Sequence, residues 1–142
     1  MPVVGMNIKS IDAKKHEEVT AGVKVSSNTN LKEVKEHNLD ALNKKCLLIE
    51  FEFITRYLSQ RDKRIAEILI NGDIFFVDDK YKKILEDWKK DKKLPEDISL
   101  QVINIIFNKC SKKAILLSDD LQLPSPIPLP FAKKREESKY IG

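Results

Sequence analysis

The sequence predicts an α+β fold in which an antiparallel sheet of about four strands packs against C-terminal helices. Large apolar residues alternate with charged ones from Cys46 to Tyr57, and helical spacing of apolar residues begins after Val77. A period of two is typical of a strand, and a period near 3.6 is typical of a helix. Prolines at 124, 126, 128 and 130 then predict an extended segment, residues 121–131, which we call the strap.

The two central strands carry the clearest pattern. Glu50 and Glu52 lie between large apolar residues, so one face of the sheet meets water, as in an antiparallel sheet covered on one side. The second strand runs from Arg64 to Val77 and is interrupted by Asn71-Gly72. This dipeptide is typical of a hairpin turn, and the alternative is one long strand with a glycine bulge.

The first 45 residues are patterned more weakly. Val3–Ile11 and Val23–Val25 are strand candidates, and Glu33–Leu42 fits either a short helix or an irregular strand. Together with the two central strands, these candidates give the predicted sheet.

Two helices are expected after the strands. The first begins near the Asp78-Asp79 pair, and a second begins at Pro95, which suits a first helical turn, and runs to about Leu121. The apolar stripe of the first helix comprises Tyr81, Ile84, Leu85 and Trp88.

The second helix is apolar over more of its surface than one packed face requires. The core row comprises Ile98, Val102, Ile106, Cys110, Ala114, Leu117 and Leu121. Two interpretations of the surplus stay open: a partner subunit covers it, or the N-terminal segment does. The first predicts an oligomer interface formed by Ile103, Phe107, Cys110 and Leu117.

Length and composition set the broad class. A chain of 142 residues with 42% hydrophobic residues supports one domain, predicted over 1–132, followed by a charged tail over 133–142. Lysines are mixed with acids along the whole chain, and the net charge is only +4, which argues against nucleic-acid binding. We expect a cytoplasmic protein, because neither a membrane-spanning run nor a signal peptide is visible.

The sequence carries no recognisable catalytic motif. Its four glycines form no phosphate-binding loop, and Cys46 and Cys110 match no metal spacing. The two histidines, His16 and His37, have only scattered acids nearby. We therefore expect a binding protein rather than an enzyme, with no cofactor and no metal. The alternative functions are a basic nucleic-acid-associated protein and a structural subunit of a larger complex.

The order of these elements resembles the SecB export-chaperone family over roughly residues 46–131. Gly72–Val77 looks like that family's strand containing Gly-Gly-Ile-Phe, and Asn104–Leu117 looks like its long C-terminal helix. The strap resembles the family's segment of leucine and proline that leads to Asn-Phe.

The resemblance implies a chaperone that holds unfolded polypeptides in exposed apolar grooves and assembles from four subunits, so a homotetramer is favoured over a dimer. SecB is strongly acidic, and acidic patches on its sheet help it dock on the SecA motor. This chain is basic, and its tail begins with Lys133-Lys134-Arg135, so it departs from the family in the features that serve motor docking.

The strap is the predicted wall of the client groove. The alternative is that its apolar residues are core. A stiff extended segment loses little entropy when it holds another extended chain beside it. The predicted client-binding residues are Phe75, Phe76 and Tyr81, with Leu123, Ile127, Leu129 and Phe131 of the strap.

Overall fold

The chain folds into one antiparallel sheet with two helices on one of its faces. The computed structural model describes residues 3–19, 21–40 and 43–130. The strands lie in the Greek-key order β1-β4-β3-β2, which makes β1 and β2 the edges, and the predicted fold class is confirmed. The elements are β1 (Val3–Lys15), β2 (Lys24–Leu39), β3 (Lys44–Leu58), β4 (Arg64–Phe76), α1 (Tyr81–Asp91) and α2 (Glu96–Asp120).

The two faces of the sheet differ as the alternation in β3 predicts. Phe51 and Phe53 lie on the helix-covered face and are each 1% exposed. Glu50 lies on the opposite, outer face, where its carboxylate is 3.4 Å from the Lys35 ammonium. Glu52 forms a similar pair with Lys32 at 3.7 Å. The middle of the outer face is therefore charged, with apolar residues such as Ile54 and Phe75 towards its ends, and the main core cluster lies on the helix side.

Strand β4 passes through Asn71-Gly72 without turning, so the hairpin interpretation is wrong. The irregularity lies on the neighbouring strand, where the register of β1 shifts between Ile8 and Ser10 opposite Gly72. The Gly72 backbone is not left-handed. A Cβ atom at this position would instead strike the backbone oxygen of Asn7 and lie 2.8 Å from the Phe51 ring. Glycine is needed here for close approach of two elements.

The N-terminal strands are longer than their patterns predict. The helical interpretation of Glu33–Leu42 is wrong, because β2 continues to Leu39 with one irregularity between Leu31 and Glu33. Residues 41 and 42 lie outside the described residues. Along β2, almost every helix-side position is only half-buried, since the strand lies at the edge of the sheet. Polar residues are tolerated at such positions, and this weakens the period-two signal.

The predicted stripe of α1 is confirmed. Ile84 and Trp88 are buried, while Tyr81 and Leu85 are half-buried against the same core. The expectation that Asp78 and Asp79 cap α1 is wrong, because the N-cap residue is Lys80 and no side chain caps the helix. The Asp78 carboxylate instead accepts a hydrogen bond from the Lys80 backbone N–H at 2.7 Å, in the turn just before the helix begins.

Helix α2 runs from Glu96 to Asp120 and contacts β2, β3 and β4. Its apolar surplus is real, because Leu116 is 68% exposed and Leu100 is 55% exposed. No helix within the described ranges is both long and apolar enough to span a membrane. The core row that the sequence predicts is fully buried at Val102, Ile106, Cys110 and Ala114, with Ile98 nearly so.

Candidate functional site

The strap begins anchored and ends exposed. The Lys15 ammonium donates to the backbone oxygen of Leu121 at 3.1 Å, and the Tyr57 hydroxyl donates to that of Pro124 at 2.6 Å. Leu123 is buried, as the core interpretation of the strap predicts. Beyond these anchors the strap is more open: Ile127 is 37% exposed, and Leu129 is 49% exposed. Phe131 and the predicted tail over 133–142 lie outside the described residues.

The strap and the aromatic residues predicted to lie beside it are at opposite ends of the sheet. Tyr57, the strap's anchor, pairs with Ala66 near the start of β4, whereas Phe76 lies at its end. Ten residues of strand separate these points by roughly 33 Å. Among the described residues of one protomer the expected juxtaposition is therefore absent, because most of the length of β4 separates the start of the strap from Phe76.

The three predicted aromatic residues also do not share one surface. Phe76 is 1% exposed on the helix side of the sheet, and Tyr81 is half-buried at the start of α1. Phe75 lies on the outer face, where its ring centroid is 5.1 Å from that of His37. Their assignment to client binding stays a prediction. Because Phe76 is buried, its side chain can support residues that contact a client but cannot contact the client itself.

An open groove instead lies between the end of α1, the first half of α2 and the edge strand β2. Its volume is about 520 Å³. Leu100 contributes an exposed apolar side chain, and Ile103, one turn further along α2, is half-buried. Lys92 and Lys93 lie at the rim, with Glu96 nearby. The apolar lining residues are Leu31, Trp88, Leu94, Leu100 and Ile103.

One hydrogen bond holds the floor of the groove in place. Trp88 Nε1 donates to Glu33 Oε1 at 3.0 Å, and the Val34 backbone N–H donates to the same oxygen at 3.1 Å. These two bonds lower the pKa of the Glu33 carboxyl, the tryptophan bond most. The carboxylate thereby joins α1 to β2 at the irregular point of the strand. Trp88 is only 4% exposed and acts as a fixed floor.

The groove continues onto β2, which among the described residues pairs with another strand on one side only. Thr29 and Leu31 of β2 are half-buried, whereas Phe53 and Phe51, their partners on β3, are buried. The Thr29 hydroxyl oxygen is buried and has no hydrogen-bond partner among the described residues. An edge strand also presents unpaired backbone N–H and C=O groups. Apolar lining and a free strand edge together suit an extended polypeptide.

A larger cavity, of about 750 Å³, lies where the turn after β4 faces the start of α2. Two of its apolar lining residues, Ile84 and Ile98, are buried, so it offers an extended chain mainly charged groups. In the described part of the chain, no three or more His, Cys, Asp or Glu side chains form a group that could hold a metal ion. The charged lining residues are Asp78, Asp79, Lys80, Lys83, Asp87 and Asp97.

The residues predicted for the oligomer interface do not form one surface. Ile103 lines the groove, and Phe107 lies one turn further along the same flank, with its ring 5.5 Å from that of Phe53. Cys110 is fully buried in the protomer's own core, and burial raises the pKa of its thiol to about 11. It cannot touch a partner in this structure. Leu117 is half-buried against the same core.

The fold resembles that of SecB-like chaperones. A solved SecB-like chaperone from Mycobacterium tuberculosis, in complex with a ChAD peptide from the HigA1 antitoxin, matches with a TM-score of 0.57. The match covers 94% of this chain and 91% of that chain at 11% sequence identity. No protein-family model matches the sequence, and no curated protein matches it. The resemblance inferred from the motifs is therefore confirmed at the level of the fold.

Sequence reasoning missed the groove in this SecB-like fold, although two signals for it were visible. Trp88, the only tryptophan, lies on the stripe of α1 one turn before a lysine pair. Leu100 and Ile103 both lie on α2, and Ile103 belongs to its apolar surplus, for which either a partner subunit or the N-terminal segment was the expected cover. The residue that completes the groove, Leu31, lies in the weakly patterned N-terminal region. Only the strand order shows that it lies next to α2.

Proposed function

We propose that the protein is a holdase, a chaperone that binds unfolded or extended polypeptides and does not modify them covalently. One observation carries the proposal: an apolar groove adjoins a free strand edge in a SecB-like fold. Such a groove can take the side chains of an extended chain while the strand edge pairs with its backbone. The peptide bound to the mycobacterial chaperone makes a polypeptide segment the natural class of ligand here too.

The proposal includes self-association, with a homotetramer favoured over a dimer. Val4 and Ile11 of the edge strand β1 are 45% and 44% exposed. A holdase must keep exposed apolar surface soluble, and burying part of it between subunits beneath a charged rim does so. The expected setting is the cytosol, where clients would be proteins awaiting export or one dedicated partner.

Suppression of client aggregation tests the holdase proposal directly. A chemically unfolded client is diluted into buffer with and without the protein, and its aggregation is followed by light scattering. The protein should suppress aggregation, and the double variant Leu100→Ser with Ile103→Ser should suppress it several-fold less. Leu116→Ser is the matched control, because it removes an even more exposed leucine of α2 that does not line the groove.

Two outcomes would contradict the proposal. If the unmodified protein leaves aggregation unchanged at molar excess, it is not a holdase. If the groove variant protects the client as well as the control does, the client site lies elsewhere. Light scattering after gel filtration tests self-association separately, and a monomeric mass at micromolar concentration would contradict it.

A further inference from the structure

A cluster of lysines follows the groove's floor along the chain. Lys89 and Lys90 occupy the last turn of α1, and Lys92 and Lys93 come directly after the helix. Among the described residues, eight lysine–carboxylate ion pairs occur, and none involves these four side chains. The lysines of the sheet are different, because Lys32, Lys35 and others are paired.

Favourable interaction with the helix dipole explains only part of this cluster. Cations near a helix C-terminus stabilise it, and this suits Lys89 and Lys90. Lys92 and Lys93 lie past the last helical residue and line the groove. The Lys92 ammonium is 5.8 Å from the Trp88 ring centroid, so it lies beside the floor. Among the described residues Glu96 is the one acid that lines the groove, and the Lys92 charge also acts on the Glu33 carboxylate that is bonded to Trp88.

The chemistry of the groove favours a polypeptide over a nucleic acid. Sites for single-stranded nucleic acid combine lysine or arginine with exposed aromatic faces for stacking. Here Trp88 is 4% exposed, its N–H is bonded to Glu33, and the open surface is formed by aliphatic side chains such as Leu100. Aliphatic side chains beside lysines that form no ion pair among the described residues are complementary to a polypeptide segment in which apolar residues are followed by carboxylates.

We propose that the groove selects extended segments in which apolar residues are flanked by aspartate or glutamate. This inference rests on the proposed holdase function and adds the chemical class of its preferred client. The apolar residues of the client occupy the space lined by Leu31, Leu94 and Ile103, and its carboxylates meet Lys92 and Lys93 at the rim. Exposed ion pairs are individually weak, so the lysines tune selectivity while the apolar contacts supply affinity.

The test compares three fluorescent peptides that share one apolar core and differ only in flanks of glutamate, serine or lysine. Anisotropy titration of the full chain should give the glutamate-flanked peptide an affinity about five- to tenfold higher than the lysine-flanked one. The advantage should shrink as salt rises from about 20 mM to about 300 mM, because exposed charges are screened.

Two charge-reversed variants separate a local effect from the overall charge. Lys92→Glu with Lys93→Glu should abolish or invert the preference. Lys109→Glu with Lys112→Glu changes the net charge equally on exposed lysines that do not line the groove, and should retain it. The neutral variant Lys92→Asn with Lys93→Gln removes the two charges without reversing them, and it should reduce the preference even if the charge-reversed variant fails to fold. Asparagine tolerates the left-handed backbone of residue 92, where φ is 56°.

Each remaining outcome overturns a defined part of the inference. Equal affinity for the three peptides, with aggregation still suppressed, removes the charge preference and leaves the holdase function standing. No binding of any peptide together with no suppression removes both. Tighter binding of a short single-stranded oligonucleotide, lost in the Lys92→Glu and Lys93→Glu variant, would make the lysine cluster a nucleic-acid site instead.

Discussion

The centre and the periphery of the helix-covered face use the same apolar residue types for different purposes. At the centre, beneath α2, Ile49, Phe53 and Ile70 are at most 1% exposed. At the periphery, Leu100 is 55% exposed beside the groove and Leu129 is 49% exposed on the strap. The helices cover the two central strands and leave the edges half-covered. Apolar side chains at the periphery contribute little to the protomer's core and are available to a partner or a client.

The largest effect is expected at the centre, for Gly72→Ala. The new Cβ would meet the backbone oxygen of Asn7 and the ring of Phe51, and neither β1 nor the packed ring can move freely. Overpacking of this kind costs about 2–4 kcal/mol in the free energy of unfolding. Chemical denaturation followed by the emission of Trp88 measures the loss.

Gly5→Ala is the matched control on the neighbouring strand. Its Cβ would meet only the Phe75 ring, at an ordinary contact distance of 3.5 Å. Gly5→Ala should therefore change stability little. If both substitutions cost the same, the close approach at Gly72 is not what requires glycine there.

The centre was predictable from sequence and the periphery was not, for a physical reason. Strand β3 is covered on one face, so its side chains alternate as the period-two rule requires. Strands β1 and β2 lie at the edges, where half-covered positions accept residues such as Ser27 and Thr29. Asn71-Gly72 was ambiguous because a hairpin turn and a close backbone approach both favour glycine. The choice depends on Asn7 of β1, which lies more than 60 residues before Gly72 in the chain.

A smaller loss of unfolding free energy than for Gly72→Ala is expected where the strap is anchored to the core at Tyr57. Tyr57→Phe removes the hydroxyl that donates to the backbone oxygen of Pro124. Because Pro124 is exposed, water can replace part of this bond, and the expected loss is about 1 kcal/mol. Tyr81→Phe is the control, since Tyr81 is half-buried and its hydroxyl makes no hydrogen bond in the described structure. An equal loss in both variants would mean that the anchor contributes nothing specific.

At the groove, the stability should depend on pH through Glu33, with a smaller effect than that of Gly72→Ala or Tyr57→Phe. The folded pKa of Glu33 lies below its ordinary value of 4.5, chiefly because Trp88 donates to its carboxylate. The stabilisation is therefore fully present above about pH 4.5 and is lost as the pH falls through the lowered folded value. Trp88 emission in the native protein should change over that acidic range.

Glu33→Gln should remove this transition, because the amide keeps an acceptor for Trp88 but does not titrate. Glu36→Gln, on the same strand, removes a carboxylate that pairs with Lys45 at 2.9 Å and should leave the transition in place. A transition that persists in Glu33→Gln would show that another group reports on Trp88.

The predicted client site illustrates what sequence order cannot supply. Phe76 and the apolar residues of the strap were predicted to line one groove, but Phe76 lies at the end of β4 and the strap is anchored near its start. The sequence shows that a helix follows a strand, and it does not show how far along the sheet that helix returns. Helix α2 has 25 residues, which is about 37 Å, so it carries the chain back along most of the strand's length. The strap consequently begins near Tyr57.

The smallest effect on stability is expected for the double variant Ile127→Ser with Leu129→Ser. Both side chains are exposed, and the strap is held there by a local bond in which the Ser125 hydroxyl donates to the backbone oxygen of Ile127 at 2.6 Å. The free energy of unfolding should change by no more than about 0.5 kcal/mol. Leu123→Ser is the control within the same strap, and its buried side chain should cost about 2–4 kcal/mol. Aggregation assays on the double variant then decide between the two interpretations of the strap. Reduced suppression at unchanged stability would make the strap a second client surface, whereas a collapse of stability would make Ile127 and Leu129 part of the core.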